Sequence, residues 1–536
     1  MTLLVASIYG HSELELREAV TSAIEQGADA VELRLDLCDG VSDEVLHRLR
    51  ESGLFTKPLI LTIRSASEGG AWEGDDTDRV SRLIELGPIA DFIDVELALW
   101  KRSANIRQKI GLALARAGHI SQVGGKEEIG LAARRKLILS KHDVTTRPSS
   151  LHSDVVEMIS TEACDAPKLA WRARTVRDNF EAFDLMRESP KLAIVICMGH
   201  EGIASRVLAK KFGAFGTFAS LESGKVTAAG QVTLAEMREL YRWNSITART
   251  SVFGLIGDPV AHSLSPLVHN ASFTSVGVDS VYLPFRVAPG YESFKAFMVE
   301  ALARPWLGLG GLSVTIPHKE NALRYLAETG ATIEPIAKRV GAVNTIIVGQ
   351  DGKLAGHNTD IPAIAQSACR LLACKESDWP GQRVLILGAG GVARAAMGAF
   401  ALLGAEVVIS NRTDDRAKLL ATELNCRWEP WDRRTTVESH LLVNCTSCGM
   451  APKSDESPMP TDALANHMAV LDTVYRPHPT RLIREAVSAD VPAEGGLGLF
   501  ISQAALQFQL WTGRDAPVEL MRQKAADTLA SPGNRN

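Results

Sequence analysis

The stretch Val31-Glu32-Leu33-Arg34-Leu35-Asp36 decides the fold of the first half of this chain. Apolar and charged residues alternate along it, as side chains do on the two faces of a β-strand. In a parallel barrel the outer face of each strand packs against helices, so the charged residues must point into the barrel. Ionisable groups placed there need partners or a ligand. The stretch Ile93-Asp94-Val95-Glu96-Leu97 repeats the pattern.

Short apolar runs of this kind recur along the chain, and helix-length spacers separate nearly all of them. The runs cover residues 3–7, 30–35, 59–64, 92–97, 136–140, 168–171, 192–197 and 216–219. Strand–helix alternation repeated about eight times is typical of a (β/α)8 barrel. We therefore predict an α/β protein with an N-terminal (β/α)8 barrel over residues 1–242 and a linker over residues 243–250.

Length and composition limit the classes of protein to which the chain can belong. Its 536 residues are too many for one core, so two to four domains are expected. The net charge of −5 comes with no basic stripe, which argues against a nucleic-acid partner. Residues 384–409 form the most membrane-like stretch, but Arg394 and Glu406 interrupt it, and no membrane span is expected.

The first residues and the cysteines bear on the compartment. The opening apolar stretch lacks a basic start and is interpreted as a strand, with no transit peptide, so we expect a cytoplasmic protein. The 8 cysteines are scattered, which favours a reducing compartment. Cys445 and Cys448 form a C-x-x-C without a second pair, so a zinc site is not expected.

A nucleotide site is predicted in the second half. The buried strand Val384-Leu385-Ile386-Leu387 runs into Gly388-Ala389-Gly390-Gly391-Val392-Ala393, and a helix follows. Glycines there allow a tight turn and a close approach of backbone N–H groups to a pyrophosphate. The next strand ends in Ser410-Asn411-Arg412-Thr413 and carries no acid for a ribose hydroxyl. Arg412 can bind a 2′-phosphate, so we predict NADP; the alternatives are a plain tight turn and a solvated arginine.

Polar motifs cluster in the lobe before this turn. They are His262-Ser263-Leu264-Ser265-Pro266, Ser313-Val314-Thr315-Ile316-Pro317-His318-Lys319, Gly341-Ala342-Val343-Asn344-Thr345 and His357-Asn358-Thr359-Asp360. Each alone is compatible with turn chemistry. Together they supply hydroxyls, an amide, an amine and a carboxylate, as a polyol substrate requires.

With these motifs, residues 251 to about 515 resemble shikimate dehydrogenase. The resemblance implies that Lys319 and Asp360 form the catalytic pair and that NADPH delivers hydride to a 3-keto carbon. It also implies substrate contacts from Ser263, Ser265, Thr315, Asn344, Asp360 and Gln503. Serine at both 263 and 265 favours shikimate over quinate.

Later motifs extend the same resemblance. Asn444-Cys445-Thr446-Ser447-Cys448-Gly449-Met450 matches the family's N-x-T-x-x-G-M turn, which implies cofactor contacts from Thr446, Gly449, Met450 and, further on, Gly498. The chain departs from the family pattern at Ser313, Ala363 and Leu499-Phe500. We predict a two-lobed dehydrogenase with a substrate-binding domain over residues 251–360, joined by a C-terminal helix within 499–530. A Rossmann-type NADP-binding domain is predicted over 361–498.

The barrel carries its own candidate chemistry. Lys168 lies in the apolar strand Ala166-Pro167-Lys168-Leu169-Ala170-Trp171, where an unpaired ammonium would be costly, and a buried lysine can become a nucleophile. The alternative is a lysine whose side chain leaves the strand end toward solvent. His142 follows another strand, at the end where barrel chemistry takes place. Glu68 follows a third strand and could orient and tune His142.

These residues resemble type I 3-dehydroquinate dehydratase across residues 3 to about 240. The resemblance implies that Lys168 forms a Schiff base with the C3 carbonyl and that His142 removes the C2 proton. Glu32, Arg34, Arg64, Arg206, Thr227 and Gln231 would hold the substrate. The segment Thr227-Ala228-Ala229-Gly230-Gln231 lacks the proline that is usual in the family, which makes a looser lid the expectation.

The two resemblances together imply consecutive steps of the shikimate pathway in one chain, as in plant-type fusions. The expected substrates are 3-dehydroquinate, 3-dehydroshikimate and shikimate, with NADP as cofactor and no metal. Two alternatives stay open: a dehydrogenase half that prefers quinate, and a regulatory protein that kept both folds and lost the chemistry.

Overall fold

The computed structural model describes residues 2–114, 120–123, 126–129, 135–222, 230–451 and 453–530, without side chains at 120–129. The chain divides into two compact units, Met1–Thr250 and Ser251–Asn536.

The first unit is built on a parallel sheet of eight strands within the described residues. They are β1 (Leu3–Ile8), β2 (Ala30–Arg34), β3 (Leu59–Thr62), β4 (Phe92–Glu96), β5 (Lys136–Asp143), β6 (Cys164–Arg172), β7 (Ile194–Met198) and β8 (Gly216–Ala219). The strands pair in chain order, and β8 also pairs with β1. The Phe215 N–H donates to the Ala193 carbonyl at 2.8 Å, which links the starts of β7 and β8. The predicted (β/α)8 barrel is confirmed.

Helices fill the spacers of the barrel. They are Glu13–Glu25, Asp43–Glu51, Asp76–Leu86, Leu97–Arg102, Ala104–Leu114, Leu151–Ser160, Asp178–Glu188 and Ile203–Val207. The first begins where the Ser12 side chain caps the Glu15 N–H, and it buries Leu16, Val20 and Ala23. An antiparallel hairpin, Ile120–Val123 with Lys126–Ile129, was not predicted.

Strand β6 begins four residues earlier than the predicted residues 168–171, at Cys164. Pro167 argues against an inner strand because proline lacks an N–H. It is tolerated here because the ladder to β7 begins only at Lys168, opposite Ile194. A register shift against β5 at Leu137 and Ile138 adds a bulge, where the Asp165 carboxylate accepts the Leu137 N–H at 2.7 Å.

Residues 243–250, predicted as a linker, pack against the first unit. Trp243 and Ile246 are buried. The Lys210 ammonium donates to the Trp243 carbonyl at 3.2 Å, and the Lys211 ammonium donates to the Thr250 carbonyl at 2.8 Å. The burial rests on isolated side chains in irregular backbone, which leave no periodic pattern in the sequence.

The second unit opens with a mixed six-stranded sheet in the order Ser280–Arg286, Ser251–Gly257, Leu309–Val314, Thr345–Val348, Leu354–His357 and Thr332–Ile333. Its helices are Ser265–Ser275, Tyr291–Leu302, Lys319–Glu328 and Pro335–Val340. The helices Leu497–Thr512 and Val518–Ala530 return to this lobe, where Phe500, Phe508 and Met521 join a core with Phe253 and Phe273.

The nucleotide lobe holds a second sheet, in which every pairing is parallel. Its order is Arg427–Trp428, Glu406–Ser410, Arg383–Leu387, Leu441–Asn444, Val470–Asp472 and Ala493–Glu494. Numbered along the chain this is 3-2-1-4-5-6, the Rossmann order, with the switch point after Arg383–Leu387. The flanking helices are Asp360–Leu371, Gly391–Leu402, Asp414–Leu424 and Arg481–Ser488. The predicted Rossmann-type lobe is confirmed.

Candidate active sites

Lys168 lines a cavity of about 430 Å³ inside the barrel. Its ammonium donates to Asp94 Oδ2 at 2.8 Å and to Glu32 Oε1 at 3.2 Å. It also lies 4.1 Å from the centre of the Phe218 ring. The side chain is therefore directed into the barrel and held on three sides, which excludes a lysine that leaves the strand end toward solvent.

Asp94 is a central residue of this cavity that we did not single out from the sequence. It binds Lys168 with one oxygen, and its other oxygen accepts from Arg64 at 2.9 Å. Burial opposes ionisation of Asp94, but Arg64 and Lys168 outweigh it and hold the pKa of the carboxyl well below its usual range. The signal was present, since Asp94 lies on the inward face of the repeated strand pattern.

His142 and Glu68 come together at the ends of β5 and of the loop after β3. Glu68 Oε2 accepts the His142 backbone N–H at 2.9 Å and lies 3.0 Å from its Nδ1. Burial and the nearby Arg64 and Lys168 cations lower the pKa of His142 well below 6.5. Burial raises the pKa of Glu68 to about 8, against the opposing effect of Arg64. The imidazole is thus neutral at neutral pH, as a general base must be.

The predicted substrate residues of the barrel differ in the hydrogen bonds and ion pairs that they already make with other side chains. Glu32 already accepts from Ser7, Thr62 and Lys168, and burial of its carboxyl is outweighed by Lys168 and Arg34, so its pKa is lowered. Arg34 makes a two-point ion pair with Asp36.

Arg206 has no carboxylate partner among the described residues. It donates to the Phe218 carbonyl at 3.1 Å, its Nε has no partner there, and burial lowers its pKa to about 10. A buried cation in this state is suited to an anionic ligand. Gln231 lines the same cavity. Thr227 lies outside the described residues.

In the second unit, Lys319 and Asp360 form a buried ion pair with an Nζ–Oδ2 distance of 2.5 Å. Each residue is the first of its helix, Lys319–Glu328 and Asp360–Leu371. The glycine-rich turn lies against this pair, because a Cβ built on Gly391 would be 2.9 Å from Lys319 Cδ. The nucleotide turn and the candidate acid–base pair therefore share one cleft.

The predicted substrate residues of this lobe include two hydrogen-bonded polar groups. The Ser263 hydroxyl donates to Ser265 at 3.1 Å and contacts Tyr475, whose pKa is raised by burial. The Asn344 amide donates to Thr359 at 3.0 Å. Thr315 is half-buried, and the Gln503 amide donates to the Phe500 carbonyl of its own helix.

Tyr475 and Gln507 are two further polar residues that we did not select from the sequence. Gln507 is buried, accepts from Ser313 at 2.7 Å and donates to Thr345 at 3.0 Å and to the Asn344 carbonyl at 3.2 Å. It ties the helix that carries Gln503 to the strand that follows Asn344. Its spacing of four residues from Gln503 was the available signal.

The cofactor turn has room for a phosphate group. Gly388 has φ 116° and lies so close to the Cys445 carbonyl that a Cβ would be 2.8 Å from its oxygen. Among the described residues, no atom would lie within 4 Å of a Cβ on Gly390. Arg412 is exposed, and among the described residues it has no ion-pair partner. Thr446 is held by two hydrogen bonds to the Asn444 carboxamide oxygen.

Two further observations concern metals and membranes. The described residues contain no group of three or more His, Cys, Asp or Glu side chains placed to hold a metal ion. Among the same residues, none of the helices has the length and apolar character needed to cross a membrane.

The two sites define a fused enzyme, in which a lysine-dependent barrel is joined to a nucleotide-dependent dehydrogenase. Family models match both parts: type I 3-dehydroquinase at residues 4–248, the shikimate dehydrogenase substrate binding domain at 255–346, shikimate / quinate 5-dehydrogenase at 370–443 and the shikimate 5'-dehydrogenase C-terminal domain at 496–525. A bifunctional 3-dehydroquinate dehydratase/shikimate dehydrogenase of Arabidopsis thaliana, described as chloroplastic, is 35% identical over 97% of this chain and 83% of its own length. The chain therefore belongs to the bifunctional 3-dehydroquinate dehydratase/shikimate dehydrogenase family.

Other relatives match the second half alone. A shikimate dehydrogenase (NADP(+)) of Methanosarcina mazei is 38% identical over 52% of this chain and 98% of its own length. A crystal structure of a shikimate 5-dehydrogenase from Thermus thermophilus in complex with NADP(H) and shikimate is 34% identical, covers 52% of this chain and 99% of that chain, and gives a TM-score of 0.45.

Proposed function

We propose that this chain dehydrates 3-dehydroquinate to 3-dehydroshikimate in the barrel and then reduces 3-dehydroshikimate to shikimate with NADPH in the second unit. The observation that carries the proposal is that each unit holds its own acid–base apparatus around a lysine. Lys168 and His142 line the barrel cavity, and Lys319 pairs with Asp360 beside the glycine-rich turn.

In the barrel, the Lys168 ammonium gives up a proton and its nitrogen attacks the C3 carbonyl. That proton leaves with the carbonyl oxygen as water, and an iminium remains. Nε2 of His142 then removes a proton from C2, and the electron pair left on C2 is delocalised into the iminium. The C1–O bond breaks as the C1–C2 double bond forms, and His142 returns its proton to the departing hydroxyl. Hydrolysis of the imine releases 3-dehydroshikimate and frees Lys168.

Substrate binding in the barrel is assigned by charge. Arg206 takes the carboxylate, because it is a buried cation without an anionic partner in the described residues. Glu32, Arg34, Arg64, Thr227 and Gln231 are proposed to hold the hydroxyls. Glu68 orients the His142 ring through Nδ1, which leaves Nε2 for the substrate.

In the second unit, NADPH supplies a hydride to C3 of 3-dehydroshikimate when it is bound. Lys319 and Asp360 hold the C3 oxygen and deliver the proton that completes the hydroxyl. Ser263, Ser265, Thr315, Asn344 and Gln503 are proposed to bind the carboxylate and the other hydroxyls. The backbone of residues 388–393 would hold the pyrophosphate, and Asn411, Arg412 and Thr413 the 2′-phosphate. Thr446, Gly449, Met450 and Gly498 would border the nicotinamide.

Quinate is the competing substrate of this half. Serine at both 263 and 265, whose hydroxyls form a hydrogen bond of 3.1 Å, supports the proposal that this half acts on shikimate. The ratio of kcat/KM for oxidation of shikimate and of quinate decides between the two. A ratio below one would establish a quinate dehydrogenase half.

We also propose a reducing compartment, the cytoplasm in the simplest case, in which small molecules are the partners. The support is that all eight cysteines are free thiols. Fractionation of cells that produce the tagged protein tests the compartment.

The deciding experiment is NADPH oxidation on addition of 3-dehydroquinate, with and without borohydride pretreatment in the presence of that substrate. Untreated protein should oxidise NADPH, and pretreatment should abolish this oxidation while it adds the mass of a reduced adduct at Lys168. Lys168→Met should lose NADPH oxidation with 3-dehydroquinate and keep it with 3-dehydroshikimate. Lys319→Met should lose NADPH oxidation with both substrates but still convert 3-dehydroquinate into the conjugated product, which is followed by its absorbance. Silence with both substrates would support the regulatory alternative.

A further inference from the structure

Like Arg206, Arg172 is a cation of the barrel cavity that lacks an ion-pair partner in the described part of the chain. It is the last residue of β6 and lines the cavity together with Lys168 and Ala170. These residues alternate along the strand, so their side chains share its inner face. At about 3.3 Å per residue, the Cα atom of Arg172 lies roughly 13 Å from that of Lys168, toward the open end of the barrel.

The charges of the cavity balance except at two arginines. Glu32 pairs with Lys168, Arg34 with Asp36, Arg64 with Asp94, and Glu68 contacts His142. Within the described residues, neither Arg206 nor Arg172 has a carboxylate partner. Arg206 is buried deep in the barrel and Arg172 is half-buried. An anion in the cavity can therefore contact Arg172 near the opening and Arg206 further inside.

The Arg172 guanidinium packs against the backbone at Gly199. A Cβ on Gly199 would lie 3.2 Å from Arg172 Cζ and 3.1 Å from Glu201 Oε2. Gly199 has φ 94°, a conformation that favours glycine and lets the guanidinium pack against the chain.

We propose that Arg172 is the outer anion contact of the dehydratase. It attracts the 3-dehydroquinate carboxylate at the mouth of the cavity and passes the substrate inward to Arg206, without a part in imine chemistry. The proposal rests on the proposed function of the barrel. It predicts an effect on substrate capture and on its dependence on ionic strength, because a partly exposed charge acts through a field that salt screens.

The test compares Arg172→Met with Arg174→Met in the full chain. Arg174 lies two residues further along, is exposed, and faces Asp178 at 3.8 Å, so its removal controls for the loss of a nearby cation. Dehydratase KM and kcat are measured over a range of salt concentrations by the absorbance of the conjugated product. Arg172→Met should raise KM about tenfold, keep kcat within about twofold and flatten the salt dependence of kcat/KM. Arg172→Lys should restore the salt dependence, and Arg174→Met should resemble the parent protein.

Two outcomes would overturn the proposal: an unchanged KM and salt dependence in Arg172→Met, or a loss of kcat at constant KM. Borohydride trapping at saturating substrate separates this failure from failure of the proposed function. Trapping retained in Arg172→Met shows an intact imine site, whereas no trapping in the parent protein would remove the dehydratase assignment itself.

Discussion

One oxygen of Glu68 meets His142 twice, accepting its backbone N–H at 2.9 Å and lying 3.0 Å from its ring Nδ1. The two contacts fix both the position of the strand end and the rotation of the ring. Nε2 has no hydrogen-bond partner among the described residues, and His142 lines the cavity. The Glu68 contact therefore occupies Nδ1 and leaves Nε2 of this cavity-lining histidine without a partner among the described residues.

This pair predicts how dehydratase activity depends on pH. The pKa of Glu68 is raised to about 8, so its carboxylate forms as pH rises through that value. Ionised Glu68 accepts the Nδ1 proton and stabilises the imidazolium that forms when Nε2 takes the C2 proton. We expect kcat/KM to rise through a pKa near 8. His142 stays neutral down to pH values well below 6.5, so its protonation does not lower kcat/KM above pH 6.5.

Glu68→Gln should remove the ionisation near pH 8 and lower kcat/KM about 10²-fold at higher pH. Glu73→Gln is the matched control, because Glu73 is exposed on the same loop. Full pH–rate profiles of the parent protein, Glu68→Gln and Glu73→Gln show whether Glu68 is the group that ionises near pH 8. If the step near pH 8 persists in Glu68→Gln, a different group is responsible for it.

Arg412 predicts the choice of cofactor in the second unit. It is exposed at the end of the second strand of the Rossmann sheet. A charged hydrogen bond to the 2′-phosphate is worth about 1.5–3 kcal/mol, so Arg412→Ala should lower kcat/KM for NADPH about 10- to 100-fold. The value for NADH should not fall. Arg433→Ala, which removes another exposed arginine of the same lobe, should change neither. An unchanged NADPH/NADH ratio in Arg412→Ala would refute the assignment.

The fold was readable from the sequence because both sheets repeat a simple pattern. The alternation at Val31–Asp36 and the strand–glycine turn at 384–391 follow directly from strand geometry and backbone sterics. The start of β6 was not readable, because Pro167 marks a strand end by local rules and only the register to β5 and β7 accommodates it. The packing of residues 243–250 likewise depends on Lys210 and Lys211, which lie more than thirty residues away.

Candidate site residues could be selected from the sequence where a motif suggests the chemistry by itself, as at His142 and Lys319. Asp94 was missed because its importance lies in its contact with Lys168, 74 residues later in the chain. Gln507 was missed because its spacing of four residues from Gln503 is a weak signal on an apolar helix, and its three partners come from two other segments. Contacts between distant segments are set by tertiary packing, which a single sequence does not display.

The Gln507 network predicts linked losses of stability and of substrate binding. Gln507→Leu leaves Ser313, Thr345 and the Asn344 carbonyl without a shared partner, which should cost about 1–3 kcal/mol. The KM for shikimate should rise, because Gln503 and Asn344 lose their common support. Chemical denaturation and shikimate kinetics measure the two effects. Gln509→Leu, on the exposed face of the same helix, should leave both unchanged, and an equal effect of the two variants would contradict the interpretation.

Two neighbouring glycines should separate cofactor binding from proton transfer. A methyl group at residue 390 meets no atom within 4 Å in the described part of the chain, so Gly390→Ala should fold normally. It would occupy the space through which the backbone approaches the pyrophosphate, and the KM for NADPH should rise about tenfold or more.

At residue 391 the methyl would lie 2.9 Å from Lys319 Cδ and displace the side chain that is proposed to hold the substrate oxygen. Gly391→Ala should therefore lower kcat for shikimate oxidation even at saturating NADP. Steady-state kinetics and thermal unfolding of both variants test this separation; if Gly391→Ala changes only the KM for NADP, Lys319 does not depend on the turn for its position.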